Sequence, residues 1–242
     1  MHRRLDIENR KLAIFDVDGT LVVTKTVFVE ALNKEFGDMN MSNIDKRWEW
    51  YEHTTDTGIL EEIFEKKNHR KPSDSEMQRC INKMIELLAE YYSRDPSLFR
   101  QVAGAQEIIT LLRNSKTWNV GIATGSWRDS ALMKLRYAGI DVQGIPFVSS
   151  SDSKFRSKII EKCIEQSMRY YDVKEFSKIV SVGDGLWDAM VANQLKIGFV
   201  GVNVPDRFKN QIDCIKYNDF REPDNFIACL ESATIPIIKS GT

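Results

Sequence analysis

With 242 residues, 42% of them hydrophobic and 29% charged, the chain is long enough for one large domain or a core with a smaller module, and its composition is that of an ordinary globular protein. Lys and Arg number 34 against 35 Asp and Glu, a net charge of −1, so no bulk field recruits nucleic acid or an anionic membrane. The four cysteines (Cys80, Cys163, Cys214 and Cys229) form no Cys-x-x-Cys pair, which disfavours zinc and a disulfide framework and leaves free thiols as the default.

Residues 1–11 are polar and lack the apolar core of a signal peptide. No stretch approaches the roughly 18 apolar residues of a membrane span. The expectation is a soluble, cytoplasmic protein, monomer or homodimer, with no nucleic-acid or membrane partner.

Lys11 leads into Leu12-Ala13-Ile14-Phe15, an apolar run without alternation that reads as a buried parallel strand. It ends abruptly in Asp16-Val17-Asp18-Gly19-Thr20-Leu21. In extended backbone Asp16 and Asp18 point the same way, about 7 Å apart at Cα, so both can face one substrate atom. Unpartnered acids at a buried strand end repel each other and call for a counter-charge. The plainer reading is an acidic turn, since Asp-Gly is a common turn pair.

From Thr26 to about Phe99 the pattern is helical. Val27, Phe28, Ala31, Leu32 and Phe36 share a helical face, with Gly37 placed to end it. Trp48, Trp50 and Tyr51, within residues 43–51, read as packing residues rather than a ligand cage. In His53-Thr54-Thr55-Asp56-Thr57-Gly58, Thr55 or Asp56 can cap the next helix, through Ile59, Leu60, Ile63 and Phe64, or face a substrate. The basic run Lys66-Lys67-Asn68-His69-Arg70-Lys71 reads as solvated. Ser73 and Glu76 have capping-box spacing ahead of a long helix that runs to Tyr92.

Beyond Val102 strand and helix patterns alternate. Helices are predicted around Ile108–Leu112, Ser130–Tyr137, Ile159–Met168 and Trp187–Leu195. Strands are predicted at Trp118–Ala123, Ile145–Val148, Lys178–Gly183 and Ile197–Val202. Such alternation implies a parallel sheet with right-handed crossovers, and the first strand belongs to it. In such a sheet ligands bind at the carboxyl ends of the strands.

Four groups fall at those ends or at helix starts: Asp16 and Asp18; Thr124-Gly125-Ser126; one base among Lys154, Arg156 and Lys158; and Asp184 and Asp188 in Gly183-Asp184-Gly185-Leu186-Trp187-Asp188. Clustered carboxylates need a hard cation, and Mg²⁺ suits one or two carboxylates, further oxygens and a substrate phosphate. A hydroxyl and a fixed positive charge hold the remaining phosphate oxygens as charge spreads over them. Counted back from Ile159-Ile160, Arg156 is the preferred base, then Lys154.

Asp-Val-Asp-Gly-Thr-Leu resembles the first motif of the haloacid dehalogenase-like hydrolases, and the order acid pair, hydroxyl, base, acids resembles that family throughout. The resemblance spans residues 11–21 and 102–202, without the family's common Lys-Pro spelling at the base. It implies an α/β fold, a Rossmann-like parallel sheet flanked by helices with an inserted all-helical cap. The core is then residues 1–23 and 101–242, and the cap residues 24–100.

The resemblance further implies a Mg²⁺-dependent phosphatase of a small phosphorylated metabolite, similar to the phosphoglycolate phosphatase branch. Asp16 is then the nucleophile and Asp18 the acid and base. Thr124 and Arg156 or Lys154 hold the phosphoryl group. Asp16, Asp18 (by its main-chain oxygen) and Asp184 bind the metal, with Asp188 in or just behind that set. Gly125, Ser126, Thr55 and Asp56 face the substrate.

Rivals of the same fold are a β-phosphoglucomutase-like mutase and a phosphonatase, which needs a cap lysine such as Lys66 or Lys67. A phosphate-binding protein without catalysis is the non-enzyme alternative. Asp18 argues against a dehalogenase, which needs no second acid, and Thr20 tilts towards hydrolysis. His2, His53 and His69, the only histidines, lie outside the core, and no Gly-x-Ser-x-Gly elbow is present.

Overall fold

A computed structural model of the chain describes residues 9–37 and 44–239. The central sheet is parallel and takes the strand order β5-β4-β1-β6-β7-β9. These strands are β1 (Lys11–Phe15), β4 (Trp118–Ala123), β5 (Phe147–Val148), β6 (Lys178–Gly183), β7 (Gly198–Val202) and β9 (Ile215–Tyr217). From β1 the chain moves outward to one edge through β4 and β5, then returns to the other side through β6, β7 and β9. The crevice at the carboxyl end of β1 is therefore the place where an open α/β sheet accepts a ligand.

Both faces of the sheet are covered. Ala13, Phe15 and Val17 pack into one core cluster with Ile108, Ile109 and Leu112 of α4 (Ala105–Arg113) and with Phe226 of α9 (Pro223–Ser232). Leu12 and Ile14 turn to the opposite face and pack with Ile159, Ile160 and Cys163 of α6 (Arg156–Tyr170). Burial on both sides is why this strand reads as a continuous apolar run.

Residues 27–99 supply a separate cluster. Helices α1 (Phe28–Phe36), α2 (Asp56–Asn68) and α3 (Asp74–Arg94) bury Phe28, Leu32, Phe64 and Leu88 against one another, and Trp127 joins them from the core. Ser73 Oγ accepts from the Glu76 amide and the Glu76 carboxylate accepts from the Ser73 amide, the expected capping box. The insertion leaves and re-enters the core through a short antiparallel ribbon, β2 (Val22–Val23) with β3 (Arg100–Gln101).

Gly37 ends α1 as expected, with a right-handed φ of −52°. Other local expectations are corrected. Trp50 is 62% exposed, its ring covered by the Arg47 guanidinium at 3.1 Å, and so packs little of the module. Asn43, the first residue of the span 43–51, lies outside the described residues. The basic run is partly helical and neutralised: Lys66 pairs with Glu62, Arg70 with Glu76 and Lys71 with Glu61. Among the described residues no helix is long and apolar enough to cross a membrane.

Candidate active site

Register builds the site. Phe15, the last residue of β1, is level with Ile122 of β4 and with Val182 of β6, each of which runs one residue further, so three neighbouring strands end within one residue of one another. The first residues past the three strands are Asp16, Thr124 and Asp184, with Asp16 one register position behind the other two. Asp16 shares the side-chain parity of Leu12 and Ile14, so it turns towards the face covered by α6, whose first residue is Arg156.

Asp16, Asp184 and Asp188 each bring a carboxylate oxygen within 4.8 Å of the others. One guanidinium serves the group. Arg156 Nη2 lies 3.1 Å from Asp16 Oδ1 and 2.8 Å from Asp188 Oδ1, its Nε donates to Asp188 Oδ1 at 2.9 Å, and its Nη1 donates to the Thr54 carbonyl at 2.9 Å. Asp188 Oδ2 accepts from the Gly185 amide at 3.0 Å, so both oxygens of Asp188 are already committed to protein donors. That sets Asp188 behind the other two acids.

The cluster is short of positive charge. Burial lifts the Asp16 carboxyl from 3.8 to about 7, opposed by Arg156 and reinforced by Asp188 and Asp18. Burial likewise pushes Asp184 well up, with Asp188 and Asp16 adding to it, and raises Asp188 against the pull of Arg156. The guanidinium, penalised by burial, is held charged by Asp188 and Asp16.

Asp184 Oδ1 is buried without a hydrogen-bond partner, and Asp16 Oδ1 meets Arg156 only as an ion pair, outside hydrogen-bond geometry. Orphaned, charge-deficient carboxylate oxygens of this kind fit a hard divalent cation. The Asp184 carboxylate also lies where a Cβ on Gly19 would be, 2.2 Å from its Oδ2. Gly19 has φ +80°, so only glycine allows Asp184 to lie against the peptide that follows Asp18.

Asp18 is held by a residue that sequence reasoning missed. Lys134, on α5 (Arg128–Tyr137), places its ammonium 2.8 Å from each carboxylate oxygen of Asp18 and 3.1 Å from Ser126 Oγ. Ser126 Oγ donates to Asp18 Oδ2 at 2.7 Å. The Lys134 side chain is only 8% exposed; burial opposes its charge, and Asp18 and Asp56 outweigh that and raise it. A lysine between Ser130 and Leu135 reads as surface. Its spacing of three from buried Ala131 was the available signal, since residues at i and i+3 share a face.

The insertion closes the site from above. Thr55 caps α2 by accepting from the Gly58 amide at 3.1 Å and donates its hydroxyl to the Lys154 carbonyl at 2.8 Å. It does not line the cavity, a correction to its expected place. Asp56 does line it: its amide donates to the Gly125 carbonyl at 2.7 Å, and its Oδ2 accepts from the Trp127 amide at 3.0 Å. Burial raises the Asp56 carboxyl to about 6, against the pull of Lys134. A Cβ on Gly125 would meet Arg156 Nη1 at 2.3 Å and the Thr54 carbonyl at 2.9 Å, so a glycine is needed where the two parts touch.

Lys154 does not reach the acids. Its ammonium pairs with Glu61 of α2 at 2.7 Å. Lys158 pairs with Glu161 on the exposed side of α6 at 2.6 Å. Of the three competing bases only Arg156 lines the cavity, with Asp16, Asp18, Thr124, Gly125 and Ser126. Lys66 and Lys67 do not line it, which removes the observation a phosphonatase would need.

A family model described as haloacid dehalogenase-like hydrolase matches residues 13–202. No curated protein sequence matches the chain. Among solved structures the chain is similar to CbbY from Rhodobacter sphaeroides in complex with phosphate, at 16% identity and TM-score 0.61, over 89% of this chain and 96% of that one. A candidate β-phosphoglucomutase from Bacteroides vulgatus aligns at 14% identity and TM-score 0.59, over 96% and 93% of the two chains. A predicted phosphoglycolate phosphatase from Haemophilus somnus aligns at 16% identity and TM-score 0.55, over 91% and 98%. These likenesses are of fold.

Proposed function

The chain belongs to the haloacid dehalogenase-like hydrolases, and from that membership we propose that it is a Mg²⁺-dependent phosphatase acting on a small phosphorylated metabolite through an aspartyl-phosphate on Asp16. The observation that carries the reading is the ending of β4, β1 and β6 within one residue of one another, which sets Asp16 and Thr124 on one cavity with the Asp184 carboxylate close to that of Asp16.

Asp16 attacks phosphorus, and the bond from phosphorus to the leaving oxygen breaks. Asp18 donates a proton to that oxygen, so the alcohol leaves neutral. Asp18 then takes a proton from water as the water oxygen attacks the aspartyl-phosphate, which returns the Asp16 carboxylate and releases inorganic phosphate. The Thr124 hydroxyl and Ser126 lie against the transferring group. Arg156 holds Asp16 and Asp188 in place, and Lys134 fixes Asp18 on the leaving-group side. Asp16, Asp184 and the main-chain oxygen of Asp18 would hold Mg²⁺, with Asp188 behind them, and the ion would neutralise phosphate charge as a Lewis acid. Residues 24–100 act as the cap that excludes water.

The test is phosphate release from acetyl phosphate, p-nitrophenyl phosphate and a set of alkyl monoesters, with Mg²⁺ and with a chelator. Metal-dependent release is expected. Isomer exchange of a sugar phosphate without free phosphate would replace hydrolysis by a mutase reaction, and silence on every compound would reject phosphatase activity.

Two substitutions grade the cations. Arg156→Met removes the counter-charge of two buried carboxylates, Asp16 and Asp188, and should lower kcat/KM by about 10²-fold or more. Lys154→Met breaks only a pair with Glu61 and should stay within about threefold of wild type. Equal losses in the two would reject Arg156 as the base of the site. Lys134→Met should lower kcat by about tenfold or more with little change in KM, because Asp18 loses the group that aims it. A rise in KM alone would make Lys134 a substrate-binding cation instead.

A further inference from the structure

The cavity above Asp16 is about 160 Å³ in volume, close to the roughly 150 Å³ of an apolar cavity that holds one benzene molecule. Once a phosphoryl group lies against Asp16 and Thr124, a leaving group of only a few heavy atoms remains to be enclosed. Its walls on that side come from the helical insertion: Val27, Phe28, Trp48, Ile59 and Met84, apolar or aromatic, with two neutral threonines, Thr26 and Thr54. One charged group from the insertion faces the same space, and it is an acid, Asp56.

The charges around the cavity are unequal. Asp16, Asp18 and Asp56 line it and Asp184 and Asp188 lie directly beneath, five carboxylates in all. Against them stand two cations among the described residues, Lys134 and Arg156. Both are already engaged, Lys134 with Asp18 and Arg156 with Asp16 and Asp188. A divalent cation and a phosphate dianion cancel each other, so binding both leaves the excess of three negative charges as it was. A second anion on the substrate would enter this field with no unengaged cation among the lining residues to receive it, and desolvating it there is costly. A positive charge would be welcomed by Asp56, with the aromatic side chains of Trp48 and Phe28 lining the same space.

We propose that the leaving group selected here is a short amino alcohol, its ammonium received by Asp56, and that monoesters carrying a carboxylate or a second phosphate are rejected. The inference rests on the phosphatase reading and goes beyond it by naming the substrate class. It also separates this chain from what the printed name of its Haemophilus somnus neighbour denotes, because the glycolate leaving group carries a carboxylate.

The experiment compares kcat/KM for three esters of nearly equal size: 2-aminoethyl phosphate, propyl phosphate and 2-phosphoglycolate, with acetyl phosphate as an activated control. The aminoethyl ester should exceed the propyl ester by at least about tenfold, and the propyl ester should exceed phosphoglycolate by a similar factor, as expected for one unit charge gained or lost in a poorly solvated site. Asp56→Asn keeps an oxygen for the Trp127 amide and removes the charge. In that variant the ratio of aminoethyl to propyl ester should collapse towards one, whatever happens to the absolute rates.

Release from acetyl phosphate together with a preference for phosphoglycolate, or with no preference for the amine, overturns the substrate class and leaves the phosphatase reading intact. An amine preference that survives Asp56→Asn overturns the part given to Asp56. Silence on all four compounds removes the phosphatase reading, and this inference falls with it.

Discussion

Asp16→Asn is expected to lower phosphate release by about 10⁴-fold or more, the scale seen when a covalent nucleophile is removed. The change is isosteric at a residue that is 6% exposed, so the cavity keeps its shape. What disappears is the carboxylate oxygen that forms the bond to phosphorus, and an amide does not replace it as a nucleophile. A folding defect predicts a different outcome. Burial and the neighbouring acids Asp188 and Asp18 already disfavour ionised Asp16, so neutralising it should leave the thermal midpoint of the metal-free protein at pH 7.5 unchanged or higher. Lost turnover with an undiminished midpoint is therefore the signature of the nucleophile. Turnover within tenfold of wild type would reject an aspartyl-phosphate on Asp16 outright. Asp18→Asn should cost less, about 10²–10⁴-fold, since it removes acid–base assistance and leaves the attacking group in place.

What the sequence reveals about this site follows from how local each signal is. The strands Trp118–Ala123 and Lys178–Gly183 are as expected, because a strand buried on both faces needs an unbroken apolar run and polar residues mark where it leaves the sheet. The acids and Thr124 are legible for the same reason, since they are the first polar residues past each run. The choice among Lys154, Arg156 and Lys158 is not legible. It depends on α6 beginning at Arg156: Lys158 stands two residues, or about 200°, further round the helix and faces outward, while Lys154 precedes the helix and reaches across to Glu61. Lys134 escapes altogether, because its partner is 116 residues away in sequence and nothing near it announces the contact. The carboxyl-terminal pieces are missed for want of length: Ile215–Tyr217 is a strand of three residues at the sheet edge, too short to show a period.

The acid cluster carries a second large expectation, in stability rather than turnover. Asp16 and Asp56 are raised by burial to about 7 and about 6, and Asp184 and Asp188 are raised as well. An unfolded chain releases these protons near pH 4, whereas the folded protein keeps them to higher pH. Between about pH 4 and 7 the folded state therefore binds more protons than the unfolded one, and its stability falls as pH rises through that window. Carboxylates whose pKa is lowered by ion pairing, such as Glu76 at about 2, act at lower pH and do not offset the trend. Mg²⁺ needs the deprotonated acids, so it should add little at pH 5 and much at pH 7.5. At ten times its Kd it adds about 1.4 kcal/mol by mass action, about 3–6 °C in midpoint for a chain of this size. Thermal unfolding at both pH values, with chelator and with Mg²⁺, reads this without any substrate. Asp184→Asn completes the argument: it should raise the metal-free midpoint at pH 7.5 by removing a repelling charge, and abolish the gain from Mg²⁺. A Mg²⁺ gain of equal size at pH 5 and 7.5, or one that survives Asp184→Asn, would move the ion away from these acids. The site is thus expected to be least stable in the condition that prepares it for metal, because the carboxylates that destabilise the empty fold are those that bind the ion.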